Sequence, residues 1–467
     1  MRTLGIDLGT GSVKAAVLDD DLRVAAQASR PNRVESPVPG WAESDPAQWL
    51  AATRAAVAEV VAAVGAPAHV GFSGQMHGVV VVDEQFAPLR PAILWADVRS
   101  VEQAARLQAD MGARLSRVGS AAVAGFAATT LAWLSEHEPD VMARAAYVLQ
   151  PKDWLRVALG GDLATDPSDA SGTLMYDVVD GEWSPDLVAW AGLTEGQLPP
   201  LLASNGPAGE VTLGDARIAC SVGGADTACA LAGLGLRPGD GFLAVGSGAQ
   251  VVRVMSRPEL DESLRTHTFS SVGPVGAGWY RIGAVQSAGL ALTPALAWLG
   301  ASVAEASAAL VGGVRATDPI FVPYLSGERT PFMNPQLRGS WYGLSLATDR
   351  AAMLRSVLEG VAQAVALGVD AVQASGDPLP EVVPLIGGGT HDPAFQQVLA
   401  DATGLTLAIT EAPDSAVVGA GLLGLGLDGN PEPVASVSTV SPQAESALLL
   451  RERREMMRAF AARSEHS

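Results

Sequence analysis

The sequence predicts an α/β protein made of two halves of related build. Three observations carry that expectation. A chain of 467 residues is too long for one hydrophobic core, so two or more domains are expected. A strand–glycine turn–strand unit opens the chain and recurs near its middle. Between and after these units, short apolar runs alternate with helical patterns.

The first unit is LGIDLGTGSVKAAVLD, residues 4–19. A dinucleotide fold or a P-loop places a helix directly after its glycines. Here Val13, Ala15 and Val17 alternate with Lys14, Ala16 and Leu18, which is a strand pattern. The unit is therefore a β-hairpin whose turn, Gly9-Thr10-Gly11-Ser12, presents backbone N–H groups. The second unit is GFLAVGSGAQVVRVM, residues 241–255, with Gly246-Ser247-Gly248 at its bend. Matching Gly9 to Gly246 makes an apolar residue, Gly, Thr or Ser, and Gly recur in order. Asp7 then has Ala244 as its counterpart, so only the first hairpin brings a carboxylate.

The remaining elements follow in chain order. Ser44-Asp45-Pro46 with Gln48 reads as the start of a helix that runs to about Val64, and a strand follows near Val70–Ser73. Helices are expected around Val101–Met111 and Thr129–Glu136. A proline- and glycine-rich stretch, 196–214, separates them from a strand at Ala216–Ser221. Gly235–Gly241 reads as the boundary between halves, giving domains 1–237 and 238–467. In the second half FVPYL is a strand and SGERTPFMNP a loop. A long helix covers about Asp349–Ala374, and VVPLI runs into Gly387-Gly388-Gly389. A helix opens near Asp392-Pro393, LTLAIT is a strand, and Ser415–Gly424 is a helix. The arginine-rich end reads as a surface helix with a frayed terminus.

Composition narrows the function. A net charge of −20 argues against nucleic-acid partners, which recruit basic surfaces, but leaves room for a nucleotide site. The two cysteines, Cys220 and Cys229, lack metal-type spacing and suggest a reduced, cytoplasmic setting. A strand starting near residue 3 leaves no room for a signal peptide, and no apolar stretch reads as a bilayer span.

Four places could carry chemistry. If the halves face each other, Thr10, Ser12, Ser247 and the turn glycines could grip a polyphosphate, with Asp7 holding hydrated Mg²⁺; two ordinary hairpins are the alternative. In ACSVGGADTACALAG, residues 219–233, Asp226 with Thr227 reads on spacing alone as an N-cap. It could equally orient a hydroxyl and accept its proton in phosphoryl transfer. In GFSGQMHGVVVVD, Gln75, Met76 and His77 sit at a bend that suits a sugar, or that simply holds a turn histidine. Asp97 and Arg99, on the loop after Trp95, could bind hydroxyls or form an ion pair. Finally, LIGGGTHDP could lie against a nucleotide or be a tight connection. The histidines do not cluster at zinc-ligand spacings.

Assembled, these residues resemble the FGGY carbohydrate kinases. GIDLGT, GQMHG, PAILW-x-D-x-R, PKDWLR, SDASGT, PYLSGERTP and LIGGG carry the resemblance, which runs over nearly the whole chain. It implies two RNase H-like domains of the actin/hexokinase/Hsp70 superfamily with a cleft between them. The N-terminal domain would bind sugar and supply the base; the C-terminal domain would bind nucleotide. By the same resemblance Asp226 stands at the catalytic base, and Asp7 at the acid near Mg²⁺ and the transferring phosphate. Met76 and His77 would contact the sugar, with Gln75, Asp97 and Arg99 nearby. Gly9, Thr10, Gly11, Ser12, Lys14, Gly246, Ser247, Gly388 and Gly389 would bind ATP. The implied reaction is ATP-dependent phosphorylation of a ketopentose, D-xylulose first. Ribulose, a polyol or an aldonate are alternatives, and a non-enzymatic actin-fold ATPase is a reading of another class. The partners implied are the sugar and ATP, without nucleic acid or membrane, in a possible homodimer. The chain departs from the family pattern at Ala96, at Ala225 and in the Gly246–Ala249 turn.

Overall fold

The opening hairpin forms as its alternation requires. In the computed structural model, which describes residues 2–387, 391–410, 414–430, 432 and 434–463, β1 (Thr3–Leu8) pairs antiparallel with β2 (Ser12–Leu18). Asp7 stands opposite Lys14, and Leu8 opposite Val13. β3 (Val24–Pro31) lies beside β2. Helix α1 (Pro46–Val64) then crosses over, and β4 (His69–Gly74) returns parallel to β1. The helix starts where Asp45 accepts from the Ala47 N–H at 2.9 Å, with Pro46 in the position that needs no donor. β5 (Pro207–Leu213) and β6 (Ala216–Ser221) complete the order β5-β6-β4-β1-β2-β3. Gly224–Ala225 pairs with the end of β4, and α2 (Asp226–Leu234) follows at once.

The second half repeats this plan. β7 (Gly241–Val245), β8 (Ala249–Met255), β9 (His267–Ser270), β10 (Trp279–Val285), β11 (Val382–Ile386), β12 (Thr406–Ile409) and β13 (Ser438–Val440) lie in the order β9-β10-β8-β7-β11-β12-β13. Outward from β7 the pairings to β8 and then β10 are antiparallel on one side, and those on the other are parallel, parallel and antiparallel. The pairings around β1 are the same. α3 (Arg350–Ala374) takes the place of α1, and α4 (Ser415–Gly424) the place of α2. β9 is the addition, and it fastens the halves together. Thr268 N–H donates to Gly119 O at 2.7 Å, and Ser270 N–H to Ser171 Oγ at 3.1 Å.

The halves also meet through α4, which lies on the first sheet. A Cβ on Gly5 would stand 1.9 Å from Val417 O, and one on Gly71 would stand 1.8 Å from Ala420 O. Only glycine lets that helix backbone rest on the strands. Three cores result. One lies under α1 (Leu4, Ile6, Trp49, Val57) and one around α3 (Val251, Phe321, Val361, Val365). The third is shared, with Met76, Phe126 and Leu131 from the first half and Phe269, Tyr280 and Leu423 from the second.

Three expectations are corrected. The 196–214 stretch holds a strand, β5, which a bulge between Pro207 and Glu210 disguised by breaking the alternation. The terminal helix, α5 (Ala444–Arg463), is not simply a surface element. Arg453 and Arg454 are buried, and Arg453 pairs with Glu359 at 2.6 Å. Among the described residues two helices are also long and apolar enough to cross a membrane by length and composition, α1 and α3. The candidate window of α3 is 94% buried within the protein, the expected place for a helix apolar on most sides. In α1, Trp49, Thr53, Ala56, Val57 and Val60 are buried.

Candidate active site

Asp7 lies at the end of β1, where its Oδ1 accepts from Ser73 Oγ at 2.7 Å. Ser73 occupies the same register on β4, so the parallel pairing itself brings the two together. Burial raises the Asp7 pKa; the Ser73 hydroxyl and Lys14 oppose the rise, and the charge of Asp414 adds to it. Lys14, expected at the nucleotide, spends its ammonium on Asp414 of the second half at 2.6 Å.

Asp226 is the first residue of α2, and the cap position is Ala225, which has no capping group. The carboxylate is therefore not the N-cap that its spacing allowed. Its Oδ1 accepts from Thr227 N at 2.6 Å and from Thr227 Oγ1 at 3.2 Å. Burial pushes its pKa up to about 7, and the charge of Asp7 is the second cause. The two acids thus share one desolvated region, where like charges resist joint ionisation. Asp226 is also held from behind. Ala225 N–H donates to Ser168 Oγ at 2.9 Å, and the Ser168 hydroxyl donates to Asp166. The other oxygen of Asp166 meets Lys152 Nζ at 3.0 Å, and Lys152 also reaches Asp153 at 2.7 Å and Asp169 at 3.0 Å. All four of these charged side chains are fully enclosed. PKDWLR and SDASGT are therefore the frame behind the acid, a task that spacing gave no sign of.

Met76 and His77 lie where expected, on the bend after β4. His77 has φ +70°, rare for a residue with a side chain. Its Nδ1 is 2.6 Å from Gly172 O, so that nitrogen carries the proton and Nε2 is left as an acceptor. Burial pushes the imidazole down to about 3, against the pull of the Gly172 bond, and nearby Arg329 and His267 lower it further. The ring stacks on Phe126 at 3.8 Å. From the second half Tyr280 donates its hydroxyl to Met76 Sδ at 3.6 Å, and Phe269 lies 5.8 Å from the imidazole. Gln75 Oε1 accepts from Thr10 Oγ1 at 2.9 Å, and Thr10 Oγ1 accepts from Trp95 Nε1 at 2.9 Å. The Gln75 Nε2 is buried and has no hydrogen-bond partner among the described residues. Ser73, Phe126, Tyr280 and Arg329 were not singled out from sequence; they come from separate segments and meet only in the fold.

Asp97 and Arg99 are engaged elsewhere. The Asp97 oxygens accept from Ala42 N at 2.6 Å and from the Arg99 guanidinium at 2.7 and 2.9 Å. Arg99 also pairs with Glu43 at 2.7 Å and lies 3.6 Å over the Trp41 ring. This ion network fixes the loop that carries Trp95.

The two glycine turns differ. Gly9 N–H closes on Ser12 O at 3.0 Å, whereas Gly246 N–H closes on Gly248 O at 2.8 Å. Val245 stands opposite Ala249, so the second turn is one residue shorter. Its Gly246 and Ser247 are exposed. Gly388 and Gly389 lie outside the described residues.

A magnesium site would rest on few protein ligands. No group of three or more His, Cys, Asp or Glu side chains suited to a metal occurs among the described residues. Hydrated Mg²⁺ asks for only one or two carboxylates beside phosphate oxygens, and Asp7, with one oxygen unbonded to protein among the described residues, meets that need.

A profile for the FGGY family of carbohydrate kinases, N-terminal domain, matches residues 2–233, and one for the C-terminal domain matches residues 261–425. The chain belongs to the FGGY family of carbohydrate kinases. It is 36% identical to a xylulose kinase of Klebsiella pneumoniae, over 86% of this chain and 85% of that one. It is 35% identical to one of Escherichia coli K12, over 86% and 85%. Among solved structures, one described as a xyloylose kinase from Brucella ovis superposes with a TM-score of 0.92 at 33% identity, covering 98% of both chains. A gluconate kinase from Lactobacillus acidophilus superposes with a TM-score of 0.93 at 20% identity, covering 100% of this chain and 98% of that one, a likeness of fold alone. The fold is thus shared by kinases of different sugars, and the substrate of this kinase must be argued from its site.

Proposed function

We propose that this kinase phosphorylates an open-chain ketopentose with ATP, converting D-xylulose to D-xylulose 5-phosphate. The observation that carries the proposal is Asp226, whose carboxyl is raised to about 7 by desolvation and by the charge of Asp7, and whose charge also reaches Tyr280, the residue bonded to Met76. Relatives named xylulose kinase at 36% and 35% identity support the choice of sugar. In this reading the halves divide the work at 1–237 and 238–467. The terminal hydroxyl of the sugar donates to Asp226, and the proton passes to that carboxylate as the phosphoryl group transfers in line, where positioning outweighs base strength. The neutral His77 accepts from another sugar hydroxyl through Nε2. The aromatic walls, Phe126, Phe269 and Tyr280, keep water from competing. Both glycine turns hold phosphate through backbone N–H groups. Asp7 would hold Mg²⁺ through its water shell, and the ion when bound neutralises phosphate charge. Asp97 and Arg99 set the Trp95 loop. A homodimer and a cytoplasmic location accompany this reading as proposals, checked by sedimentation and by fractionation.

ADP production measured across ketopentoses, polyols and aldonates tests the substrate. D-xylulose should lead, and a clear lead by another compound would replace it. Asp226→Ala should lower turnover by about 10²–10⁴-fold with nucleotide binding kept, the range for a lost general base. Near-normal turnover in that variant would refute the assignment.

A further inference from the structure

PYLSGERTP has so far supplied no chemistry, and its two charges behave differently. Glu328 turns inward. It accepts from Gln286 N at 2.6 Å, Ser287 N at 3.2 Å and Arg329 N at 2.7 Å, and is buried. Its charge is therefore spent on backbone amides. Arg329 turns the other way, towards Trp95 and His77 of the first half. Its guanidinium carbon lies 5.6 Å from the centre of the Trp95 ring. Its charge also reaches His77 and His267. No hydrogen bond or ion pair engages that guanidinium among the described residues, and the side chain is half-buried.

These neighbours do not satisfy it. The indole of Trp95 offers only its face, and its N–H is already committed to Thr10. His77 is neutral, with its one free ring nitrogen an acceptor. A half-buried guanidinium with five donors and no acceptor calls for oxygen lone pairs from something that enters the cleft. Burial lowers its pKa, and the charge of Glu328 opposes that fall. The pocket around it has complementary roles. His77 and Asp226 accept, and so suit hydroxyls. Arg329 only donates, and so suits an oxygen that only accepts.

We propose that Arg329, delivered by the C-terminal half, is a specificity-determining residue that donates to the carbonyl oxygen and adjacent hydroxyl oxygen of the bound ketose. This rests on the ketose reading above, in which the opposite end of the sugar meets Asp226. A ketone oxygen is a pure acceptor and matches the guanidinium fork. The corresponding polyol presents a hydroxyl there and gains less from it. Because this residue comes from the second half while Asp226 and His77 come from the first, sugar also links the two lobes.

Steady-state kinetics of Arg329→Gln and Arg329→Lys test this, with D-xylulose and xylitol as acceptors. For Arg329→Gln the KM for D-xylulose should rise about 10- to 100-fold, the span for a lost charged hydrogen bond, with kcat changing less. The preference for D-xylulose over xylitol should shrink, the KM for ATP should stay unchanged, and Arg329→Lys should recover part of the loss. Unchanged melting curves confirm that the variants fold. An unaltered sugar KM would overturn the proposal. So would a raised KM for ATP with the sugar KM kept, which would assign Arg329 to phosphate. If the wild type itself prefers a polyol or an aldonate, the ketose reading fails, and the carbonyl contact proposed here fails with it. If the wild type prefers D-xylulose and Arg329→Gln keeps that preference, the Arg329 proposal alone falls.

Discussion

The two glycine hairpins share a strand order and a pairing pattern, yet they are built for different surroundings. The first carries Asp7 opposite Lys14; the second has Ala244 opposite Gln250. The hydroxyl of Thr10 in the first turn is committed to Gln75 and Trp95. Ser247 in the second is exposed, and its hydroxyl is unbonded among the described residues. The carbonyls of Gly246 and Ser247 accept from Gly289 and Leu290 at 3.0 and 2.8 Å, so that turn leans on its own half. The first turn is therefore wired to the sugar side, while the second is left open for a ligand that binds by backbone contacts. A repeated unit has been specialised by one acid, one residue of length and one pair of side-chain hydrogen bonds.

Between the two hairpins, the largest expected effect tests the acid. Asp7→Asn should lower kcat by about 10²–10³-fold, the scale for losing one electrostatic group aimed at transferring charge, and should weaken the response to Mg²⁺. Ala244→Asp, which places an acid on the second hairpin, should instead raise the KM for ATP by repelling phosphate, with no gain in kcat. Equal consequences for the two substitutions would erase the distinction. A smaller effect tests the wiring. Thr10→Val removes the link between Trp95 and Gln75, each hydrogen bond contributing about 0.5–1.5 kcal/mol, and should cut kcat/KM for sugar about tenfold. Ser247→Ala should move only the KM for ATP. Steady-state kinetics with each substrate varied in turn separates these outcomes.

Much of this was legible in the sequence, for physical reasons that can be named. The hairpins could be read because strand alternation and glycine bends are local signals, and the register Asp7–Lys14 follows from them. The helices at 46–64 and 350–374 could be read because Asp45 and Asp349 cap them and their apolar faces are long. What could not be read depends on distant partners. The pair Arg453–Glu359 joins residues 94 apart, so a charged helix that sequence assigns to solvent is partly enclosed. Asp97 and Arg99 sit two apart, a spacing equally suited to ligand or ion pair, and Glu43 and Trp41 decided it. In the site, Asp226 and His77 were visible as motif residues. Their support, Ser168 with Asp166 and Phe126 with Gly172, required the fold.

The smallest effect lies in stability, and it falls on the acid beside the first hairpin, whose own Asp7 is one cause of the shift. Asp226 has a folded pKa of about 7 against an ordinary value of 3.8. A carboxyl raised on folding binds its proton more tightly in the native state. Its contribution to stability is therefore fully present below about pH 4 and is lost as pH rises through 7. Asp7 is shifted in the same direction, burial again being the main cause. Asp226→Asn should then melt higher than the wild type at pH 8, and the difference should shrink towards pH 5, where the wild-type carboxyl holds its proton. Ser247→Ala, on the hairpin with no acid, should melt with the wild type at both values. Thermal melts followed by circular dichroism decide this. A gap between Asp226→Asn and wild type that ignores pH would mean that packing, and not the buried charge, sets it.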